Sequence, residues 1–181
     1  MPQVESLTDK NKEVLYLTDY IDEFVMQVMN NYDGKNFVNA SSGEVDLDTK
    51  EEKEELTKKN EEYKDIFKVM KDTLKDNITD VRFTHRLKNH PVCLVSEGNV
   101  SIEMEKVMNA MPTDDKVKAN TILEINENHE ISKKLEKLYQ SDKQELEKYT
   151  KVLYAQARLI EGLPIENPTE ISNLVCEILS K

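Results

Sequence analysis

The 181-residue chain contains no tryptophan and has only four glycines, five prolines and two cysteines. The glycines are isolated, so the sequence has no glycine-rich loop that could bind a phosphate group. Cys93 and Cys176 show no CxxC spacing, which argues against a zinc site or a disulfide framework and fits a reducing cytosol. No apolar run approaches the roughly 18 residues of a membrane span, and the N-terminus lacks a signal-peptide hydrophobic segment. These absences predict a soluble, cytoplasmic protein with no membrane partner.

The charge balance is strongly acidic, with 36 Asp and Glu against 25 Lys and Arg and a net charge of −11. A polyanion does not favour DNA, RNA or anionic lipid, so we expect no nucleic-acid partner. The acidic residues fall on helices that the pattern predicts to be solvated, and no general acid or base pair stands out among them. The sequence therefore predicts no catalytic residue, no metal site and no cofactor within these residues.

The first quarter of the chain predicts a small unit of two strands and one helix. EVLYL (residues 13–17) and NFVNAS (residues 36–41) have the composition of strands. YIDEFVMQVMNNY lies between them and predicts a helix that Thr18 or Asp19 caps. A unit of this size buries too little apolar surface to be stable alone. We therefore interpret residues 1–46 as the closing end of a preceding domain.

A charge-dense run separates this unit from the rest of the chain. Residues 47–62 carry almost only acidic and basic side chains, which predicts a solvated helical linker. Over residues 63–181, the segments VRFTH, PVCLVS and TILEIN predict three strands, and amphipathic helices lie around them. The predicted fold class is α+β, with a small mixed sheet of about three strands flanked by helices.

The stretch EGNVSIEMEKVMNAMP, residues 97–112, predicts a methionine-rich helix between two of these strands. Its apolar side chains recur at helical spacing along one stripe: Val100, Met104, Val107, Met108 and Met111. Such a stripe most often faces the core, but thioether side chains also suit surfaces that bind many partners. Both interpretations remain open on the pattern alone.

The two C-terminal helices, KQELEKYTKVLYAQARLIEG and PTEISNLVCEILSK, carry more apolar surface than a single buried stripe needs. The first of them is apolar on more than one side, so it requires two neighbours. The second neighbour is either part of this chain or a second copy, which would give a two-fold four-helix bundle. The pattern leaves a dimer interface and an internal core equally open.

Two other interpretations also remain. An enzyme could use His90 and Cys93, with His85 close by in sequence, although a cysteine in an apolar strand is far more often a small buried hydrophobe. The chain could instead be a plain helical scaffold or dimerisation module, organised by residues 48–75.

Several blocks of sequence, in this order, resemble the bacterial Hsp90 chaperone family, also known as the high-temperature protein G family. VLYLTDYIDEFVMQVMNNYDGKNF resembles the closing segment of that family's middle domain. VRFTHRLKNHPVCLVS, MEKVMNAMP, ILEINENHE and RLIEGLPIENP resemble its C-terminal dimerisation domain. The similarity covers essentially the whole chain.

The resemblance implies a portion of a homodimeric, ATP-driven chaperone that remodels non-native client proteins. It implies that residues 1–46 end the middle domain and that residues 63–181 form the dimerisation domain, whose last two helices build an intermolecular four-helix bundle. The dimer contacts that it implies are Leu153, Ile160, Leu174, Val175 and Ile178. The ATP and Mg site and the catalytic Arg of the family would lie outside these residues, so the fragment itself is not expected to be an enzyme.

The family's counterpart of the methionine helix offers its apolar face to clients in the dimer cleft. The resemblance therefore implies client binding by Val100, Met104, Val107, Met108 and Met111. We expect Met104 and Met108 to be substantially exposed and Ile102 to pack against the body. The chain lacks the acidic tail of the eukaryotic cytosolic relatives after its last helix, so helical-repeat co-chaperones are not expected as partners.

Overall fold

The structure is a computed structural model that describes residues 1–43, 45, 48–112 and 116–181. The N-terminal part, residues 1–43, comprises a 3-10 turn at Pro2–Val4, α1 (Glu5–Asp9), α2 (Tyr20–Val28), β1 (Asn31–Tyr32) and β2 (Lys35–Asn36). The sheet domain, residues 48–112 and 116–181, comprises α3 (Lys50–Glu62), α4 (Lys64–Leu74), a 3-10 turn at Lys75–Asn77, β3 (Asp80–Thr84), β4 (Val92–Glu97), α5 (Ile102–Ala110), β5 (Asn120–Asn126), α6 (Glu130–Ser141), α7 (Lys143–Ile160) and α8 (Pro168–Leu179). The predicted boundary between residues 46 and 47 lies outside the described residues.

The sheet has β5 at its centre, with the strand order β3-β5-β4. β5 runs parallel to β3 and antiparallel to β4, so Leu123 pairs with Val81 on one side and with Leu94 on the other. A parallel neighbour requires a crossover, and the chain supplies one through β4 and α5 before it returns as β5. The predicted α+β class and the mixed three-stranded sheet are confirmed.

One face of the sheet carries the main hydrophobic core, under α4, α6 and α7. Alternation along the strands sends every second side chain to this face. The strand residues buried there are Val81, Phe83, Val92, Leu94, Leu123 and Ile125. The helices contribute, among others, Phe67, Met70, Leu135, Leu146 and Leu153. The opposite face holds a much smaller apolar cluster, formed by Leu87, Cys93, Val95 and Ile122.

The N-terminal part departs from the sequence prediction at both predicted strands. Residues 13–17 form no strand, and Leu15, Tyr16 and Leu17 are exposed. A strand needs a hydrogen-bonded neighbour, and no described strand pairs with this segment. Of NFVNAS, only Asn36 is in a strand, because a tight turn at Asp33 and Gly34, both with positive φ, pairs Lys35–Asn36 with Asn31–Tyr32.

The helix predictions hold better than the strand predictions in this region. α2 begins after Asp19, and Asp22 accepts hydrogen bonds from the backbone N–H groups of Thr18 and Asp19, both at 3.1 Å. The charged segment is also a helix, α3, with no buried residue. Leu56 nevertheless packs against the core, and the Asn60 side chain accepts a hydrogen bond of 2.7 Å from the Phe83 backbone N–H. α3 therefore covers the outer edge of β3, which would otherwise expose unpaired backbone groups.

Candidate functional site

The methionine helix α5 is shorter than its predicted span and is fixed at both ends by polar contacts. Ser101 caps its N-terminus by accepting a hydrogen bond of 2.9 Å from the Met104 backbone N–H. At the other end, the Asn109 side chain exchanges hydrogen bonds with the backbone N–H and carbonyl of Val117, at 3.0 and 2.9 Å. Glu105 accepts a bond of 2.8 Å from the Ala119 N–H. These contacts hold α5 at a defined angle to β5.

Met104, Val107 and Met108 lie within α5, whereas Val100 precedes its N-cap residue and Met111 follows its last residue, and the five side chains differ in exposure. Val107 is buried, Val100, Met104 and Met108 are half-buried, and Met111 is exposed. Ile102 is buried against the body as predicted, but the predicted substantial exposure of Met104 and Met108 is wrong. Ile102 and Val107 project about 140° apart around the helix, and Met104 lies about 60° beyond Val107, at the edge of this buried arc. Met108 lies nearly opposite the arc, so the periodicity of α5 does not account for its partial burial.

Helix α2 of the N-terminal part lies beside α5 and adds apolar surface that the sequence analysis did not assign to the site. Glu23 of α2 accepts a hydrogen bond of 2.6 Å from the Ser101 hydroxyl, which joins α2 to the cap of α5. Four apolar residues of α2 are exposed, namely Tyr20, Ile21, Val25 and Val28. An exposed apolar patch on a soluble protein usually marks an interaction site. The helical pattern of YIDEFVMQV could have indicated this surface, because its apolar residues exceed one stripe.

The second candidate surface lies on α8 and the end of α7. No residue of α8 is fully buried, although Ile171, Leu174, Val175 and Ile178 recur at helical spacing and are half-buried against α7. Leu159 at the end of α7 is 60% exposed and Leu179 at the end of α8 is 80% exposed. The amphipathic pattern thus leaves part of its apolar face uncovered within one chain.

Of the five predicted dimer contacts, four lie where a partner could reach them. Ile160, Leu174, Val175 and Ile178 are half-buried. Leu153 is different, because it is buried in the main core of its own chain. Its assignment to an interface surface is therefore wrong, and Leu159, which the sequence analysis did not assign to the interface, is the exposed residue on α7.

Salt bridges fix α8 against α7. Lys148 pairs with Glu177 at 2.5 Å, Lys151 pairs with Glu170 at 2.7 Å, and Lys181 pairs with Glu145. Exposed ion pairs contribute little to stability, but the two between α7 and α8, with the third from Lys181 to the buried Glu145, together favour a single packing geometry. They keep the apolar residues of α8 in a fixed position at the surface.

The structure argues against Cys93 as a catalytic nucleophile. Cys93 is fully buried, and burial, together with the nearby Glu124 carboxylate, raises the pKa of its thiol well above the usual range. The His90 ring is paired with another residue, since its Nδ1 atom lies 2.8 Å from the Glu5 carboxylate. Within the described residues, no group of three or more His, Cys, Asp or Glu side chains could hold a metal ion. None of the described helices is long and apolar enough to cross a membrane.

Comparison with known proteins gives a consistent result along the whole chain. The family model described as Hsp90 protein matches residues 1–181. The chain is 46% identical over 179 residues to the Chaperone protein HtpG of Bacillus subtilis (strain 168), and this match covers 99% of the chain. It is 48% identical over 179 residues to the Chaperone protein HtpG of Clostridium botulinum (strain Langeland / NCTC 10281 / Type F), again with 99% of the chain covered. The chain spans 29% of the length of either relative.

Proposed function

This chain belongs to the Hsp90 protein family, and we therefore propose that it is the dimerisation and client-binding portion of an ATP-dependent Hsp90-type chaperone of the cytoplasm. In this proposal two copies form a homodimer, and non-native proteins are the clients. ATP and Mg act at a site outside these residues, so the portion itself is not an enzyme. The observation that carries the proposal is the apolar surface that α8 and the end of α7 leave uncovered.

The proposed dimer is a four-helix bundle of α7 and α8 from two copies. Ile160, Leu174, Val175 and Ile178, together with Leu159, supply the apolar contacts. A two-fold axis brings the same surface of each copy together, so one apolar face serves both partners. This arrangement would cover the residues of α8 that one chain leaves half-buried.

Sedimentation of the wild-type chain at micromolar concentration tests this interface. We expect a dimer for the wild type and a monomer for the double variant Leu174→Glu/Ile178→Glu, because two buried charges per copy would face each other without partners. Asn173→Glu, at an exposed position of the same helix, is the matched control and should remain dimeric. A monomeric wild-type chain would contradict the proposed interface.

The proposed client contact is the outer part of the α5 stripe. Val100, Met104, Met108 and Met111 are at least partly exposed, whereas Val107 faces inward and supports the helix. Flexible thioether side chains adapt to clients of different shape, which suits a surface that binds many sequences. The exposed side chains of α2 lie next to α5 and extend this surface.

Replacing Met104 and Met108 by Ser tests the client contact. We expect binding of an unfolded client to weaken by about tenfold to a hundredfold, since each of the two side chains loses roughly half of the 1.5–3 kcal/mol that full burial provides. Because both methionines are half-buried within the chain itself, the melting temperature should fall, but only by a few degrees. Val38→Ser removes an exposed apolar side chain outside α2 and α5 and should leave binding unchanged. Both quantities are measured on the same preparations.

A dimerisation scaffold without client binding is the second candidate function. The burial of Ile102 and Val107 and the partial burial of both methionines favour it, because α5 packs inward more than a free binding helix would. The double Met→Ser variant separates the two functions. A large loss of stability with unchanged client binding would favour the scaffold.

A further inference from the structure

A buried carboxylate lies at the centre of the sheet, on the face opposite the main core. Glu124 of β5 is 1% exposed. Arg82 pairs with its Oε1 atom through Nη2 at 2.6 Å and Nε at 3.0 Å, and the Arg86 Nε atom lies 2.9 Å from Oε2. A buried charge without a partner costs several kcal/mol, so the two guanidinium groups are what make this position tolerable for a carboxylate.

The same two arginines reach out of the sheet domain to the N-terminal part. Arg86 donates through Nη1 to the Ala40 carbonyl at 2.7 Å and through Nη2 to the Ser42 carbonyl at 2.9 Å. Arg82 donates through Nη2 to the Gly43 carbonyl at 2.9 Å. One carboxylate does not neutralise two guanidinium groups, and three backbone carbonyls accept three further hydrogen bonds from them. Glu124 thus orients the arginines, and the arginines hold residues 40–43.

Backbone hydrogen bonds continue this contact along the outer edge of β4. The Ser96 N–H donates to the Ser41 carbonyl, and the Gly43 N–H donates to the Ser96 carbonyl, both at 2.8 Å. The approach is close: a Cβ atom at Gly43 would lie 3.2 Å from Arg82 Nη2 and 3.3 Å from the Ser96 carbonyl oxygen. The segment reaches this position because residue 43 has no side chain.

We propose that Glu124, Arg82 and Arg86 form a polar latch that lets the N-terminal part dock on the sheet domain and release from it while the sheet stays folded. The main core lies on the other face of the sheet and contains no residue of the N-terminal part. Opening the latch therefore exposes polar groups and the small cluster of Leu87, Cys93, Val95 and Ile122, but leaves the main core covered, which favours local opening below the free energy of global unfolding. Buried ion pairs of this kind fix a geometry more than they add stability.

The latch also controls the position of α2. Because α2 belongs to the N-terminal part and contacts α5, release of residues 40–43 would free α2 to move relative to α5. Movement of the preceding segments would in this way reach the sheet domain through the latch, in addition to the contacts that Gln3, Glu5 and Ser6 make. The latch would operate in the same manner whether or not α5 binds clients.

Hydrogen exchange of the whole chain, followed by NMR, tests the latch. In Glu124→Gln the neutral amide no longer holds both guanidinium groups. We expect the Ser96 and Gly43 amides to exchange at least tenfold faster, while the amides of β5 keep their protection. Glu62→Gln removes an exposed carboxylate of α3 and should leave all of these rates unchanged.

Gly43→Ala tests the same joint from the side of the N-terminal part. Its added methyl group presses on Arg82 and Ser96 but leaves the Glu124 centre intact, so we expect the same local loss of protection. If Glu124→Gln unfolds the chain, the exchange rates of Gly43→Ala alone decide whether the latch opens locally. Unchanged protection at Ser96 and Gly43, or an equal loss across β5, would overturn the latch.

Discussion

The two parts of this chain keep their structure in different ways. The sheet domain encloses a continuous apolar core between one face of the sheet and three helices. The N-terminal part buries little apolar surface, and most of the large apolar side chains that the described residues expose lie between residues 15 and 38. Its contacts with the sheet domain are mainly hydrogen bonds and ion pairs, made by Gln3, Glu5, Ser6 and residues 40–43, with Pro2 and Val4 as its buried apolar residues near the start of the chain.

The apolar core and the polar contacts therefore have different roles: the core stabilises the fold, and the polar contacts set the position of the N-terminal part. Apolar burial is roughly proportional to area and has no direction, so the core of the sheet domain supplies most of the folding free energy. Hydrogen bonds and ion pairs add less net free energy but require defined geometry. We infer that these contacts set the position of the N-terminal part on the sheet domain and add little to the free energy of unfolding. Substitutions of matched residues in the two parts test this inference.

The largest difference in the free energy of unfolding is expected when one leucine in each part is replaced by alanine. Leu123→Ala removes a fully buried side chain from the central strand, and we expect the free energy of unfolding to fall by about 2–5 kcal/mol. Leu17→Ala removes the same atoms from a segment where Leu17 is 50% exposed, and we expect a change below about 0.5 kcal/mol. Urea unfolding at one fixed chain concentration measures both values. Equal losses would mean that the N-terminal part belongs to the cooperative core.

The same contrast explains which elements the sequence could predict. EVLYL and TILEIN are both short apolar runs, but only the second forms a strand. TILEIN finds two partners within the chain, whereas no described strand pairs with EVLYL. Local composition carries the tendency to be a strand, and pairing decides whether the strand forms. The helices α4, α6 and α7 were predictable because their periodic apolar residues meet the sheet inside this chain.

The candidate sites were predictable to a similar extent. Periodicity located the α5 stripe and the α8 stripe, but it did not show that Val107 and Leu153 face inward, because that depends on the angle at which each helix packs. The alternation in TILEIN does place Glu124 beside Ile122 and Asn126 on one face of the strand. Nothing in that segment indicates that residues 40–43 cover this face, since the covering segment is distant in sequence.

A smaller difference is expected when the helix caps of the two parts are compared. Asp142 caps α7 by accepting a hydrogen bond of 3.0 Å from the Glu145 N–H. Because α7 is part of the core, Asp142→Ala should lower the free energy of unfolding by about 1 kcal/mol. Asp22→Ala removes the cap contacts of α2, which has no buried residue, and should change the global value by less than about 0.3 kcal/mol. Thermal and urea unfolding check both variants, and a comparable loss in Asp22→Ala would contradict the comparison.

The smallest effect should be confined to the docking of the N-terminal part and should appear only in acid. Burial alone would raise the pKa of Glu5, but hydrogen bonds from the Lys88 and Asn89 backbone N–H groups and the His90 ring lower it from 4.5 to about 2. A lowered folded-state pKa stabilises docking above the unfolded value, and this stabilisation is lost as the pH falls from about 4.5 towards 2. The NMR shift of the Lys88 amide should therefore titrate in this range, before the amides of β5 change. Glu5→Gln should abolish the step, and Glu13→Gln, at an exposed position, should retain it. A step that persists in Glu5→Gln would assign the acid sensitivity to another group and remove Glu5 from the docking contact.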